Sequence, residues 1–209
     1  MPPYDVAGKM ARLADRVRGG KRNRLPSLIV MTDPARSGCL IELANTLGQG
    51  NALIYRHFGA SNRLEIGRDL ASLAERRGFT FLVSADLELA DMLRREGKGV
   101  GIHWPEKWLH VAAQQRGRGD TRLFTASAHS PAAAMAARSA GVETVIYSPV
   151  FQSASPSAGA PKGVYAVASL ARACTTGIHA LGGVNLRSAP QLIGLGLSGI
   201  ACVSGALGV

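Results

Sequence analysis

Eight short runs of β-branched and aliphatic residues recur along the chain, at 28–31, 52–55, 79–83, 99–102, 122–126, 144–147, 178–181 and 199–203, and they limit its fold more than any other feature. Each run is short and closes on small, polar or turn-forming residues, the pattern of parallel strands buried on both faces. Between most runs lie segments with helical spacing, such as 64–77 and 87–96, where Leu87, Ala90 and Leu93 recur every three residues. Gly78, Gly97, Gly141 and Gly196 stand where each helix should stop. Eight strands alternating with helices predict a closed α/β barrel, the (β/α)8 TIM fold; a doubly wound open sheet would not require an eighth strand. The 209 residues, 46% of them hydrophobic, suffice for one core and lie near the lower limit for such a barrel.

The last third of the chain carries the clearest site signal. Tyr147-Ser148-Pro149-Val150-Phe151, Ala180-Leu181-Gly182-Gly183-Val184 and Ala201-Cys202-Val203-Ser204-Gly205 each end an apolar run at one face of the barrel. Paired glycines after a strand let backbone N–H groups approach an anion closely, and a Ser-Gly pair at the next strand end adds donors. Gly182, Gly183, Val184, Ser204 and Gly205 are therefore expected to form a phosphate cup at the position after strands seven and eight. The alternative is that Gly182 and Gly183 only permit a tight turn. If the cup is the main role, valine at 183 should weaken phosphate-ester binding more than it destabilises the fold.

Charge and cysteine usage narrow the class. Formal net charge is +10 with a pI near 10.3, which attracts anions. The excess is concentrated at Lys9, Arg12, Arg16, Arg18, Lys21, Arg22 and Arg24 and at Arg116 and Arg118, not among aromatic-studded strands, so a solvated basic face is preferred to a nucleic-acid surface. Residues 1–24 read as a basic helical segment ahead of a barrel at 25–209. Within that segment Met10, Leu13 and Val17 line one stripe of an amphipathic helix over 6–17, expected to cover the barrel near the seam of strands eight and one unless a partner chain does so. Only Gly205 to Val209 follow the last strand, so the final helix is expected to be truncated. Cys39, Cys174 and Cys202 lack CxxC spacing, and no secretory or membrane-spanning run is present. A cytoplasmic protein, free of membrane and able to form a homo-oligomer, is the expectation.

Thr32-Asp33-Pro34, Tyr55-Arg56, Gly101-Ile102-His103, Ala126-Ser127-Ala128-His129, Ser148-Pro149-Val150-Phe151, Gly182-Gly183-Val184 and Val203-Ser204-Gly205 follow one another at successive strand ends. This ordered set, over roughly residues 25–207, resembles the thiamine phosphate synthase and thiazole tautomerase superfamily. The resemblance implies a barrel that joins a hydroxymethylpyrimidine diphosphate to a thiazole phosphate and releases pyrophosphate, with magnesium and cationic groups stabilising the leaving group. It assigns Arg56 to the diphosphate, Ser127 to the serine of the strand 5 motif, and Gly183 and Ser204 to the phosphate cup. Ser153 and Ser155 match the hydroxyl residues after the PVF segment.

The chain departs from the family at the metal and diphosphate positions. Val83-Ser84-Ala85-Asp86 replaces the Asn-Asp pair, and Trp104-Pro105-Glu106-Lys107-Trp108 puts Trp108 at the second metal carboxylate. Asp86 and Glu106 are the neighbouring acids that could substitute for hard oxygen ligands. Pro156 and Phe58 stand at the family's lysine positions, leaving Lys162, in a Ser-, Ala-, Pro- and Gly-rich loop, either as a diphosphate ligand or as a solvated lysine. The tautomerase branch has a catalytic histidine where this chain has Pro149. His103 and His129, at or beyond predicted strand ends, read equally as acid–base groups or as structural ones, whereas mid-strand His179 is preferred as a hydrogen-bonded core residue. His57 either binds an anion or finishes its strand. Trp104 and Trp108 are preferred as rim packing over an aromatic wall for a heterocycle. Three readings follow: a transferase with altered diphosphate chemistry, a metal-independent isomerase, and a non-catalytic barrel that binds a phosphorylated ligand.

Overall fold

The computed structural model describes residues 3–19, 25–34, 37–56, 59–153 and 159–203. Eight strands, β1 (Leu28–Met31), β2 (Asn51–Tyr55), β3 (Thr80–Ser84), β4 (Gly101–Trp104), β5 (Phe124–Ala128), β6 (Thr144–Tyr147), β7 (Gly177–Ala180) and β8 (Gly199–Val203), pair in parallel order, and β8 returns to β1 to close the barrel. Around it run α1 (Pro3–Arg18), α2 (Leu40–Asn45), α3 (Arg63–Arg77), α4 (Leu87–Arg95), α5 (Leu109–Gly117), α6 (Pro131–Ser139) and α7 (Gly163–Ala173).

Because successive strand side chains alternate in direction, each strand feeds two cores. Ile29, Met31, Ala52, Ile54, Leu82, Ile146 and Ala201 meet inside the barrel. Val30, Leu53, Phe81, Ile102, Phe124 and Val145 face outward into the layer that packs under the helices. The lumen is polar along β4 to β7, because strand register puts Ser84 beside His103, His103 beside Thr125, and Thr125 beside Thr144. At its lower end His179 is fully buried, with Nε2 2.7 Å from the Pro26 carbonyl and Nδ1 2.8 Å from the Thr144 hydroxyl. The carbonyl can only accept, so Nε2 carries the proton, and the single proton of the Thr144 hydroxyl, which also lies 2.9 Å from the Gly177 carbonyl, is shared between that oxygen and the Nδ1 lone pair. A Cβ at Gly199 would lie 2.0 Å from the Ser27 carbonyl oxygen and 2.9 Å from His179 Nε2, so glycine makes room for this plug. His179 thus takes the core role.

Strands β4 and β5 begin and end two residues later than the apolar runs suggest. His103 is consequently inside β4 rather than beyond it, and Trp104 is fully buried on its outer face, edge-on to Phe124 with ring centroids 5.5 Å apart. The rim position expected for Trp104 is thereby corrected. Trp108, in a 3-10 turn at Glu106–Trp108, is exposed. Between β7 and β8 the described residues form a 3-10 turn at Ala189–Leu192 instead of an α-helix, so Gly196, although left-handed at φ 80°, ends no helix. The expected truncation after β8 falls on residues 204–209, outside the described ones.

Helix α1 packs on β1, β8 and the 3-10 turn before β8. Its buried stripe is Ala7, Met10, Ala14 and Val17, with Leu13 on the flank. Asp15 accepts hydrogen bonds from Ser27 Oγ at 2.7 Å and Arg18 at 2.8 Å, while Arg18 also donates to the Leu25 carbonyl. The charged face of the helix is therefore tied to the entrance of β1.

Candidate functional site

Barrel chemistry is expected where strand ends deliver side chains to the C-terminal mouth. There β4 and β5 bring three groups together: His103 Nδ1 lies 2.8 Å from Thr125 Oγ1, and His103 Nε2 lies 2.9 Å from Ser127 Oγ. His103 is 2% exposed, and burial, aided by the positive charge of Arg56, pushes its pKa down to about 3. The imidazole is thus neutral at physiological pH. Arg56, half-buried at the end of β2, is held through its backbone N–H, which donates to Thr32 Oγ1 at 2.8 Å. A hydroxyl and a neutral imidazole therefore meet within the field of a positive charge, a set suited to an anionic oxygen.

His129 follows β5 and is exposed; its backbone N–H donates to Glu106 Oε2 at 2.8 Å, and its Nδ1 lies 3.2 Å from both the carbonyl and the hydroxyl oxygen of Ser148. Glu106 is thereby committed to fixing the turn after β5. Asp86 is the N-cap of α4: Oδ1 accepts from the Leu89 N–H at 3.0 Å, and Oδ2 pairs with Arg63 at the start of α3. Ala85, between β3 and this cap, has φ 53°. Magnesium prefers six oxygen ligands in octahedral array. Asp86 gives Oδ1 to the Leu89 N–H and sets Oδ2 against the Arg63 guanidinium, Glu106 spends one oxygen, and Ala85 and Trp108 have no side-chain oxygen to give, so these described residues do not fit a protein-held magnesium site.

The paired glycines after β7 have φ 93° and 65°. A Cβ at Gly183 would lie 2.2 Å from the Gln152 carbonyl oxygen, and one at Gly182 would lie 2.7 Å from Pro149 Cα. The loop after β6 thus packs directly on the glycines, with the Val150 N–H donating to the Leu181 carbonyl and the Phe151 N–H to the Gly182 carbonyl. Asn185 and Ser188 complete the turn: Ser188 Oγ donates to the Gly183 carbonyl at 2.7 Å, and the Arg187 and Ser188 N–H groups donate to Asn185 Oδ1. The expectation for valine at 183 is corrected here, since that side chain would strike backbone and destabilise the fold whatever its effect on ligand. The N–H groups of Gly183 and Val184 have no hydrogen-bond partner among the described residues.

Ser204, Gly205, Ser155 and His57 lie outside the described residues. Ser153 is half-buried after the PVF segment. Lys162 donates its backbone N–H to the Pro149 carbonyl and holds its ammonium 5.8 Å from the Tyr147 ring centroid. Tyr147 faces the helical layer, so in this conformation Lys162 reaches the outer shell of the barrel. Sequence reasoning passed over Thr125, Arg63, Asn185 and Ser188. Reading β5 two residues later would have brought Ser127 into the strand on the same face as Thr125; Asn185 and Ser188 carry the Asn/Ser signature of a turn.

A family model described as thiamine monophosphate synthase (TMP-TENI) matches residues 28–206. The thiamine-phosphate synthase of Aromatoleum aromaticum is 31% identical over 184 residues, covering 85% of this chain and 85% of that protein. The thiamine biosynthesis bifunctional protein ThiED of Geobacter sulfurreducens is 27% identical over 146 residues, which are 70% of this chain but 29% of that protein. Among solved structures, thiamine phosphate pyrophosphorylase from Pyrococcus furiosus has the same fold, with a TM-score of 0.73 over 94% of this chain and 90% of that one at 20% identity.

Proposed function

The chain belongs to the thiamine monophosphate synthase family, and from that premise we propose that it is a transferase of thiamine biosynthesis, joining a hydroxymethylpyrimidine diphosphate to a thiazole phosphate with release of pyrophosphate. In this reaction the methylene–oxygen bond of the pyrimidine substrate breaks, pyrophosphate leaves with the electron pair, and a bond from the methylene to the thiazole ring replaces it. Two charges need help: the departing pyrophosphate and the phosphate of the thiazole.

The observation that carries the reading is the contact of Ser127 with neutral His103 near the barrel mouth, under the positive charge of Arg56. Arg56 supplies fixed positive charge to the diphosphate, and Ser127 supplies a hydrogen bond to the same group. The N–H groups of Gly183 and Val184, which have no partner among the described residues, bind the thiazole phosphate, with Ser204 and Gly205 as further candidates from the next strand end. His129 is an additional candidate acid–base group beside Ser148 and Glu106. Ser153, Ser155 and Lys162 are candidates for diphosphate contacts from the loop after β6; Lys162 would have to leave Tyr147 to make one.

The poor fit for magnesium favours the isomerase or binding-protein alternatives over a metal-assisted transfer, whereas family membership favours the transferase. Phosphorylated small molecules are the partners under either reading. A cytoplasmic location accompanies it; no helix among the described residues is long and apolar enough to cross a membrane.

The test is calorimetry with thiazole phosphate and pyrimidine diphosphate, with and without magnesium, followed by assay of thiamine phosphate and pyrophosphate. The transferase reading expects condensation, and expects Arg56→Ala or Ser127→Ala to lower kcat/KM by about 100-fold with melting temperature nearly unchanged, as when one preorganised donor to a developing anion is removed. Binding without condensation, or isomerisation of the thiazole alone, would overturn it. A millimolar magnesium requirement abolished by Asp86→Ala would instead restore a protein-held metal.

A further inference from the structure

We propose that Thr125 is a positioning residue: its hydroxyl fixes one neutral tautomer of His103, and His103 in turn aims the Ser127 O–H out of the barrel as a hydrogen-bond donor to an anionic substrate oxygen. The inference rests on the transferase reading for the identity of that oxygen, but its central claim concerns the direction of a hydrogen-bond chain inside the protein.

The chain is Thr125–His103–Ser127, with contacts of 2.8 Å and 2.9 Å. A neutral imidazole has one N–H and one lone pair, so the chain can run in only two directions. In the first, Thr125 donates to Nδ1, Nε2–H donates to Ser127 Oγ, and the Ser127 proton is left to donate beyond the chain. In the second, Ser127 donates to Nε2, Nδ1–H donates to Thr125, and the Thr125 proton is left over.

Burial decides between them. Thr125 is fully buried, and its hydroxyl has no hydrogen-bond partner other than His103 among the described residues. The second direction would strand an O–H donor in the barrel interior, where an unmade hydrogen bond carries the full desolvation penalty. The first direction leaves only a spare lone pair on a hydroxyl that already donates. Its leftover proton sits on Ser127, which is partly exposed at the end of β5 and has water or substrate to meet. The first direction therefore prevails, and Ser127 is a donor: with Nε2 protonated, His103 cannot act as a base that withdraws the serine proton. Burial first, and the positive charge of Arg56 second, keep the imidazole from gaining a second proton, and the same positive charge attracts the anion that Ser127 meets.

The test combines ring-nitrogen NMR of the histidines with steady-state kinetics on the full chain. The parent and Thr125→Ser should both show His103 protonated at Nε2 and unprotonated at Nδ1, since serine retains the donor. Thr125→Val should lose this fixed tautomer and reduce kcat by about 10- to 100-fold, the range typical when an orienting partner of a functional histidine is removed, with KM for thiazole phosphate changed by less than about twofold. Thr125→Ser should restore kcat. An Nδ1-protonated His103 in the parent, or a Thr125→Val enzyme as fast as the parent, would overturn the proposal. A parent without pyrophosphate release whose Nε2 tautomer is nonetheless lost in Thr125→Val would fail the transferase reading alone and support the positioning role.

Discussion

Two residues with left-handed backbone show how differently the same conformation is accommodated. Gly183, at φ 65°, has no space for a side chain, because its Cβ would lie 2.2 Å from the Gln152 carbonyl oxygen. Ala85, at φ 53°, adopts the conformation with a Cβ, at a cost of about 1–2 kcal/mol for an L-residue. Gly183→Ala is expected to destabilise by about 2–4 kcal/mol, through overpacking against backbone as well as strain. Ala85→Gly is expected to stabilise by about 0.5–1 kcal/mol, the relief of strain being partly offset by the greater freedom of glycine in the unfolded chain. Urea denaturation of both variants checks the pair, and effects of the same sign would contradict the contrast. Neither residue's surroundings were legible in the sequence. The glycine pair read as a turn or an anion cup, but the approach of Gln152 that makes glycine necessary comes from another loop. Ala85 carried no signal of strain, since the preceding strand and the following cap impose its conformation together. The acid–base candidates behaved likewise: His103 could be picked out, whereas its partner Thr125 lies 22 residues away and meets it only through parallel pairing of β4 and β5.

At the scale of elements the order was legible and the limits were less so. Runs buried on both faces have no polar alternation to fix their ends, so β4 and β5 could slide by two residues while keeping each side chain on its expected face. That slide turns His103 from a residue beyond the strand into the penultimate residue of β4, still near the mouth. Helix limits were better defined: the left-handed Gly78 caps α3, and Asp86 and Ser130 accept from Leu89 N–H and Ala133 N–H at the starts of α4 and α6. Helix α1 illustrates an element whose amphipathic stripe predicted its docking, although the stripe is centred on Met10 and Ala14 rather than on Leu13. We propose that residues 1–24 act as a covering segment for the barrel at 25–209, not as an independent unit. Met10 is fully buried against that seam, so Met10→Ala should lower unfolding free energy by about 2–5 kcal/mol, as core truncations do. Arg12→Ala, on the exposed face, should change it by less than about 0.5 kcal/mol. Equal, small effects in thermal denaturation would mean that α1 is peripheral to stability.

For the molecule as a whole, the lumen holds two histidines that must stay neutral, one near each end. Burial holds His103 at a pKa of about 3 and His179 at about 4; the Pro26 hydrogen bond works against the latter shift, and Arg18 adds to it. In the unfolded chain both return to about 6.5. The unfolded state therefore binds more protons than the native state below that value, so this contribution to stability is fully present above about pH 6.5 and is lost as pH falls toward the folded values. Each histidine can steepen the decline by at most about 1.4 kcal/mol per pH unit. Glu96 and Asp120 are held below the usual carboxylate range in the fold, so they add to this decline rather than oppose it, and only as pH approaches their ordinary range near about 4. Unfolding free energy from urea titrations is accordingly expected to fall between pH 6.5 and 5. His179→Gln, which keeps a donor for the Pro26 carbonyl but cannot titrate, should make that fall shallower even if the variant is less stable overall. A parent protein whose stability is flat or rises over this interval would show that the lumen admits the second proton, and neutral His103 at the mouth would lose its physical basis.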